Sequence, residues 1–551
     1  MHALEQVFAE TIIAGLKRKS IKQCSKWAMS YRIAGGQTNP GPWNFRLHPW
    51  SRAMHDSNAP FNAGMKSAQM AYTETLMNRT FFKMDIDGVN CLYVFPNKNP
   101  DASDFSTSRF DPALELSPHL KQMFSDVKNI GHKRAGPANL WIRGSNSRIG
   151  LKSIDPSFVA LDEVDEMNQE NIQLAYRRTD GQLASQIWAI STPTVPEYGI
   201  HNMFLQSSQE RWFFQCPNCW KEITLEFPDC FVLIGDSLLD PRIKESHVIC
   251  PLCRKKIEHE DKVKSQQETG LWIPQIPDLV PERRGFYVNQ LSSCVKTPAK
   301  IAITAIEARD NKSAEQELWN SIAGLPHVVD GARIDDNHIN ACIGTRKMGD
   351  PYPKFKVVTM GTDVGKWFHY EIAGWTIQKL GPDLNMCAEP EILQVGAVAK
   401  LHEIKQLMRE FQVNFIVLDK QPEERLIYEF CCEHWGRAKR CHYARGIGSK
   451  KMVVSPNEDE HLVSVNRTFW LDTSLGRIRS KRAKLPKDTP EDYRTHLKNL
   501  VKRYREDNDG GDVSVYIKTG PDHFAHARNY NEIALPLALS LATNQNIRSF
   551  L

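Results

Sequence analysis

Short apolar runs alternate with stretches of helical spacing along most of this chain. In the N-terminal half the runs are Cys91 to Phe95, Phe158 to Leu161 and Gln186 to Ile190. Each is too short for a helix and rich in residues that suit a buried pleated surface, so each predicts a strand. Strands separated by helical patterns predict a mostly parallel sheet covered on both faces, an α/β architecture. A second block of the same kind opens after the turn-rich Gly349 to Pro353. There Val357 to Thr362, Tyr370 to Ile377 and Glu391 to Val398 read as strands, His402 to Phe411 as an amphipathic helix, and Val413 to Leu418 as an almost wholly apolar fourth strand. Ahead of both blocks, Met1 to Ser20 has the spacing of an amphipathic helix, broken by Glu5 and Glu10, and lacks the layout of a signal peptide. Gly35 to Pro42 reads as a loop.

Composition narrows the class. With 41% hydrophobic and 25% charged residues over 551 positions, the chain has the balance of a globular protein and not of a disordered one. Seventy basic against 65 acidic side chains leave a formal charge of +5, compatible with a polyanionic partner and too weak to argue for one alone. The longest apolar run near the C-terminus, Ile533 to Ala542, is too short to span a bilayer and contains Pro536, so a soluble, intracellular protein is expected. Thirteen cysteines are thinly spread and four sit in close pairs, which fits a reducing compartment with one metal site better than a disulfide framework.

Four motifs carry chemistry. Gly64 to Glu74, ahead of a helical pattern, offers small residues, Lys66 at the front of the loop and Thr73 as a hydroxyl. A phosphate-binding loop needs backbone N–H groups at a helix N-terminus, a lysine for the phosphate oxygens and a hydroxyl for Mg²⁺. Ala71 stands where glycine would be expected. Phe158 to Glu163 is an apolar strand ending in two carboxylates, and in a nucleotide-hydrolysing site Asp162 would hold the Mg²⁺ shell while Glu163 polarises water. Ser191-Thr192-Pro193 ends the next strand, where a hydroxyl could sense a γ-phosphate. Cys216-Pro-Asn-Cys219 and Cys250-Pro-Leu-Cys253 offer four thiolates to a tetrahedral Zn²⁺, a closed and hence structural site. Cys230, between the pairs, is read as core. Finally, Asp363 and Asp419 end strands of the second block and Asp522 starts a helix. Each alone would be a turn residue or N-cap. Together they suit two divalent ions (Mg²⁺ or Mn²⁺) about 4 Å apart, as in-line phosphodiester cleavage requires.

These residues resemble the large terminase subunits of tailed bacteriophages, in particular the lambda-like branch. Lys66-Ser67-Ala-Gln-Met-Ala-Tyr-Thr73 is similar to that branch's Walker A with its displaced lysine, and Gly144 to Ser147 through Phe158 to Met167 to its approach to Walker B. Pro42 to Pro49 looks like its adenine-side motif, and Trp319 to Pro326 like its interdomain signature. The resemblance implies a P-loop ATPase of the additional-strand type with its core at 46–210, after a helical lead-in at 1–45. It further implies a zinc-ribbon insertion at 211–260, the rest of the ATPase domain and a linker at 261–350, and an RNase H-like nuclease domain at 351–551. By position Lys66, Ser67 and Thr73 would hold phosphate and Mg²⁺, and Ser191 and Thr192 would couple hydrolysis to movement. Arg143 or Arg148 would be the arginine finger. His523 or His526 could assist the nuclease metal, although a helix-surface histidine is the plainer reading. ATP, Mg²⁺ (or Mn²⁺) and Zn²⁺ are the implied cofactors. The implied partners are double-stranded DNA, the terminase small subunit and the procapsid portal, with a homo-oligomeric ring when assembled, no membrane, and residence in the host cytoplasm and not in the mature virion. The basic runs Arg437 to Arg445 and Arg477 to Lys484 read as solvated faces that fit a DNA track. A helicase-like DNA-dependent ATPase of replication or repair is the competing enzyme reading, and a DNA-binding scaffold without catalysis is the third.

Overall fold

The computed structural model describes residues 21–35, 40–124, 127–152, 154–182, 184–380, 387–444, 450–506 and 512–550, with residues 5, 6, 9 and 12. Most of the expected N-terminal amphipathic helix, and Arg445 of the basic run, lie outside them. The chain divides into two compact units, Met1–His327 and Val328–Leu551. That division falls within the 261–350 stretch expected to hold the remainder of the first domain and its linker.

The first unit is built on one large sheet. Its strands are β1 (Phe61–Lys66), β2 (Cys91–Phe95), β3 (Val127–Asn129), β4 (His132–Ala135), β5 (Ala138–Gly144), β6 (Phe158–Asp162), β7 (Gln186–Ser191), β8 (Glu210–Gln215) and β9 (Glu222–Ile223), followed after the cysteine turns by β13 (Leu271–Ile273) and β14 (Arg283–Val288); β10 (Phe231–Val232), β11 (His247–Ile249) and β12 (Lys256–Ile257) form a separate three-stranded sheet. The order across the large sheet is β9-β8-β14-β1-β7-β6-β2-β5-β4-β3, with β13 paired to β8. From β8 to β5 the neighbours are parallel, and antiparallel strands finish both margins. The three apolar runs of the sequence are central strands. They are buried at nearly every position, as parallel strands covered on both faces must be. Helix α1 (Tyr72–Phe82) follows β1 and packs Leu76, Met77 and Phe81 into the core on one face.

The second unit holds a seven-stranded mixed sheet: β15 (Val357–Asp363), β16 (Phe368–Ile377), β17 (Ala388–Val398), β18 (Phe415–Asp419), β19 (Ala438–Tyr443), β20 (Met452–Val454) and β21 (Leu462–Val465), in the order β17-β16-β15-β18-β19-β21-β20. The first three strands are an antiparallel meander, and β18, α2 (Leu401–Glu410) before it, and β19 add parallel strands to its inner edge. A hairpin of β22 (Leu500–Glu506) and β23 (Asp512–Lys518) leads into the long helix α3 (His523–Thr543). Helix α3 lies against β15 where Gly361 leaves room: a Cβ there would sit 2.1 Å from both Ala527 O and Asn531 N. Two buried ion pairs fasten this helix. Arg528 Nη1 is 3.3 Å from Glu371 Oε2, and Arg477 grips Glu532 through Nε and Nη2. The second of these takes Arg477 out of the solvated basic face expected over Arg477 to Lys484, of which Lys481 and Lys484 are exposed. Arg477 is 2% exposed, because its charge is satisfied inside the core by Glu532.

Candidate functional site

In the first unit the chemistry sits where β1, β6 and β7 end. Lys66 is the last residue of β1, and the five residues after it form the loop that α1 caps. The loop bends through two left-handed residues, Gln69 and Ala71 (φ 62°, ψ 21°). Glycine is the residue that takes this conformation without strain, which is the physical content of its expectation at position 71. Groups outside the loop fix it. Trp50 Nε1 donates to Met70 O at 2.9 Å, Gln290 Nε2 to Ala68 O at 2.9 Å, and Ala68 N–H to Ser321 O at 2.7 Å. Gly324 (φ 65°) packs on the same loop, with a Cβ there falling 2.9 Å from Ser67 N. The Trp319 to Pro326 stretch therefore clasps the loop within the first unit. The Ser67 hydroxyl is buried and faces Val288 O at 3.3 Å.

Lys66 reaches across to the acidic end of β6. Its Nζ is 2.6 Å from Glu163 Oε1 and 3.6 Å from Asp162 Oδ1. Burial disfavours the ammonium, but the two carboxylates outweigh it and hold the Lys66 pKa above the ordinary lysine value. Asp162 is 1% exposed, takes Thr73 Oγ1 at 3.4 Å and Tyr93 OH at 3.0 Å, and burial pushes its carboxyl up. Ser191 Oγ lies 3.5 Å from Glu163 Oε2 and accepts from Asp165 N–H at 3.2 Å. Thr192 follows, its carbonyl accepting from the Ser191 hydroxyl. Lys66, Thr73, Asp162, Glu163 and Ser191 are thus one cluster. A hydroxyl and a carboxylate side by side at a helix N-terminus suit a Mg²⁺–phosphate pair. A cavity of about 750 Å³ opens beside Ala71 and is lined by Arg32, Trp43, Asn44, His48, Glu74 and Arg109 among others. The two arginine candidates differ. Arg143 is bound to the Gly131 and Ile142 carbonyls, whereas Arg148 is exposed at the start of a short helix. Tyr93, Trp50 and Gln290 escaped the sequence reading. Only Tyr93 left a signal there, a hydroxyl-bearing residue inside the apolar run Cys91 to Phe95.

The four paired cysteines meet. Their sulfurs lie within 4.8 Å of one another, with Cys219 Sγ 3.9 Å from Cys250 Sγ. The two turns are built alike. Each closes with an N–H to the first cysteine's carbonyl (Trp220 to Cys216, Arg254 to Cys250), and the closing residue is left-handed in both. Amide N–H groups of Asn218, Leu252 and Cys253 point at the Cys216 and Cys250 sulfurs, as they do toward thiolates. The donor set fits Zn²⁺. Cys230 is buried outside the set, packed in the core.

In the second unit Asp363 ends β15 and Asp419 ends β18, the neighbouring parallel strand, one rung past the Thr362–Leu418 pair. Burial lifts the Asp419 carboxyl above its ordinary range and the Asp363 charge adds to the lift, against the Gln421 N–H and the Tyr530 hydroxyl. A buried carboxylate beside a second one fits a divalent cation. Asp522 precedes α3, but its side chain makes no cap bond. It is held by His526 Nε2 at 3.1 Å and Lys518 Nζ at 3.2 Å, and these two partners hold its carboxyl well below the usual range despite burial. Tyr443 OH, 2.8 Å from His526 Nδ1, orients that imidazole in turn. The histidines expected on a helix surface are therefore both engaged with aspartates, His523 Nδ1 lying 2.9 Å from Asp363 Oδ2. Among the described residues, the second set of three or more ligating side chains gathered within 4.8 Å is Asp363, His369 and His523; Asp419 and Asp522 are not in it. His369 escaped the sequence reading because it lies across the β15–β16 ladder from Asp363.

Residues 37–272 match the family model of the phage terminase large subunit gpA, ATPase domain. No curated protein matches the chain. Among solved structures, the HK97 bacteriophage large terminase aligns with 93% of this chain and 98% of its own, at 10% identity and a TM-score of 0.45. The large terminase of a thermophilic bacteriophage, in complex with ADP, aligns with 88% of this chain and 96% of its own, at 11% identity and 0.29. The large terminase nuclease of thermophilic phage G20c with bound magnesium aligns with 36% of this chain and 94% of its own, at 12% identity and 0.22. Alignments this loose assign no residue.

Proposed function

We propose that this chain, whose residues 37–272 match the family model of the phage terminase large subunit gpA ATPase domain, hydrolyses ATP in its first unit to drive double-stranded DNA into a procapsid and cuts concatemeric DNA with its second. The observation that carries the reading is the meeting of Lys66, Thr73, Asp162 and Glu163 at strand ends beside a helix N-terminus. One strand, β7, lies between β1 and β6, which supports the additional-strand type of P-loop fold. Thr73 and Asp162 would hold Mg²⁺, which supplies charge neutralisation for the transferred phosphate. Lys66, released from Glu163 by the phosphates, turns to the nucleotide. The freed Glu163 then orients and polarises water from the left-handed turn after β6 (φ 65°). Ser191, within reach of Glu163 and of the Asp165 amide, passes the change to the 191–194 segment. The cavity beside Ala71 takes the nucleoside, with Trp43 and His48 as its ring-bearing walls. Arg148, exposed where Arg143 is engaged, is the finger we assign. The cysteine set forms a zinc-ribbon-like site that pins β8 and the small sheet.

In the second unit the order β17-β16-β15-β18-β19 supports an RNase H-like reading, with Asp363 and Asp419 as metal-bearing carboxylates and Asp522 beside them. A divalent ion there would activate water and stabilise the leaving oxygen. The small subunit, the portal and assembly as a ring in the host cytoplasm belong to the same reading; among the described residues no helix is long and apolar enough to cross a membrane. The test is plasmid cleavage in Mg²⁺ or Mn²⁺ beside DNA-stimulated ATP hydrolysis. Asp419→Ala abolishing cutting while hydrolysis persists supports it. Unwinding of duplex DNA without cutting turns the assignment to a helicase.

A further inference from the structure

Asp363 faces two ways. On one side it neighbours Asp419 through the β15–β18 ladder; on the other it sits among imidazoles. His369 is its direct cross-strand partner on β16, so both side chains leave the sheet on one face. His523 opens α3, and the close approach of that helix at Gly361 brings its ring over the strand ends. The His369 and His523 rings lie parallel, 4.5 Å between centroids. One nitrogen of each and one oxygen of Asp363 fall within 4.8 Å of one another. His369 Nδ1 is buried without a hydrogen-bond partner. The ring is half-buried and, apart from a backbone interaction with Trp367, leaves this shielded nitrogen open to a ligand. His496 stands behind them at 5.6 and 5.8 Å, with Nδ1 already accepting from Phe524 N–H at 3.3 Å. It therefore walls the cluster without joining the ligand set.

We propose that Asp363, His369 and His523 form a binding site for a borderline divalent transition metal, of the kind exemplified by Co²⁺, Zn²⁺ or Ni²⁺, distinct in donor chemistry from the carboxylate side shared by Asp363 and Asp419. The inference deepens the nuclease reading and rests on it for Asp363 as the carboxylate common to both sides. Two imidazoles and one carboxylate select such ions over Mg²⁺, which prefers an all-oxygen shell. The 2.9 Å contact between His523 Nδ1 and Asp363 Oδ2 is where the ion would replace a shared proton. The second unit would then cut with a mixed pair of ions, one hard and one borderline, and its activity would depend on which metal fills the histidine side.

The experiment uses the full chain loaded with one equivalent of Zn²⁺ to fill its cysteine site, with the excess removed by a weak chelator, then titrated with Co²⁺ and followed by visible absorption and calorimetry in the presence of excess Mg²⁺. The expected result is one further Co²⁺ per chain, without thiolate charge-transfer bands, its affinity at least about tenfold weaker in His369→Ala and in His523→Gln. His523 is part-exposed, and glutamine keeps a partner for Asp363, so the second variant guards against loss of fold. Equal Co²⁺ affinity in wild type and both variants overturns the proposal, as does Co²⁺ uptake that only Asp419→Ala removes. Cutting in Mg²⁺ that Asp419→Ala abolishes would still stand in that event. Histidine-dependent Co²⁺ uptake by a chain that cuts in no metal upholds the site and removes the nuclease reading instead.

Discussion

Lys66 Nζ rests 2.6 Å from Glu163 Oε1, so the lysine proposed for the phosphates and the carboxylate proposed to activate water are paired with each other. The pair blocks both groups at once. In the proposed mechanism, phosphates that draw Lys66 away also release Glu163, which would couple the availability of the base to occupancy of the loop. In Glu163→Gln the lysine loses its nearest charge, and Asp162 at 3.6 Å remains. Hydrolysis is expected to fall by about 10² to 10⁴-fold, the usual range for a lost general base, while ATP binding holds or tightens. Single-turnover hydrolysis and fluorescent-nucleotide titration measure the two separately. A variant that still hydrolyses within a few-fold of wild type removes Glu163 from the role.

The cysteine set divides two residues that composition treats alike. Cys216 is in the gathered four and Cys230 is buried outside them. If the set holds zinc as proposed, Cys216→Ser is expected to abolish zinc binding there and destabilise the first unit by on the order of several kcal/mol, since zinc binding to such a site is folding free energy. Cys230→Ser is expected to keep one zinc per chain. Metal analysis after dialysis against a weak chelator decides it, and zinc lost from both variants alike would mean that Cys230 belongs to the site.

Acid sensitivity has an identifiable source in the first unit. His55 is wholly buried, its Nδ1 2.7 Å from Ser51 O and its Nε2 3.1 Å from Asn78 Nδ2, and burial lowers its pKa to about 3. The unfolded imidazole titrates near its ordinary value of about 6.5. Between those values the unfolded chain binds a proton that the native chain does not. Stability is therefore full above about pH 6.5 and declines as pH falls, by up to about 1.4 kcal/mol per pH unit for this one group. His48, lowered by burial to about 4, acts in the same direction. Urea midpoints at pH 6.5 and 4.5 are expected to differ less in His55→Gln than in wild type; an unchanged difference would acquit His55.

What the sequence disclosed and what it withheld follow from distance along the chain. The apolar runs ending in Asp162, Glu163, Asp363 and Asp419 are local patterns, and each appears as a strand with its acid at the end. The cysteine turns are local too. The groups that hold the phosphate loop are not. Gln290 and Gly324 reach it because β14, more than two hundred residues later, inserts beside β1, and no periodicity announces that neighbour; Trp50 reaches it from the start of a short helix just ahead of β1. His369 was hidden for a related reason. A cross-strand pair is fixed by register, and Asp363 meets His369 only after the strand has turned back on itself. Arg477 shows the reverse error. Its run of basic neighbours suggested solvent, while its own position on a helix face turned inward toward Glu532.

Ala71 offers the sharpest test of loop strain. It holds φ 62° and ψ 21° at the residue before α1, a conformation that costs an L-residue about 1–2 kcal/mol and glycine almost nothing. Glycine in turn costs the folded state more chain entropy, by about 0.5–1 kcal/mol relative to alanine. The net expectation for Ala71→Gly is a gain in stability of up to about 1 kcal/mol. Ala71→Val should lose more than that, because a β-branched side chain is least tolerant of left-handed backbone. The loop is held at the Met70 and Ala68 carbonyls by Trp50 and Gln290 and at the Ala68 N–H by Ser321 O, not by the residue at 71, so phosphate affinity is expected to change little in the glycine variant. Thermal unfolding with and without ADP separates the effects. Destabilisation by glycine as large as that by valine would show that the Ala71 methyl packs to an advantage that outweighs the strain.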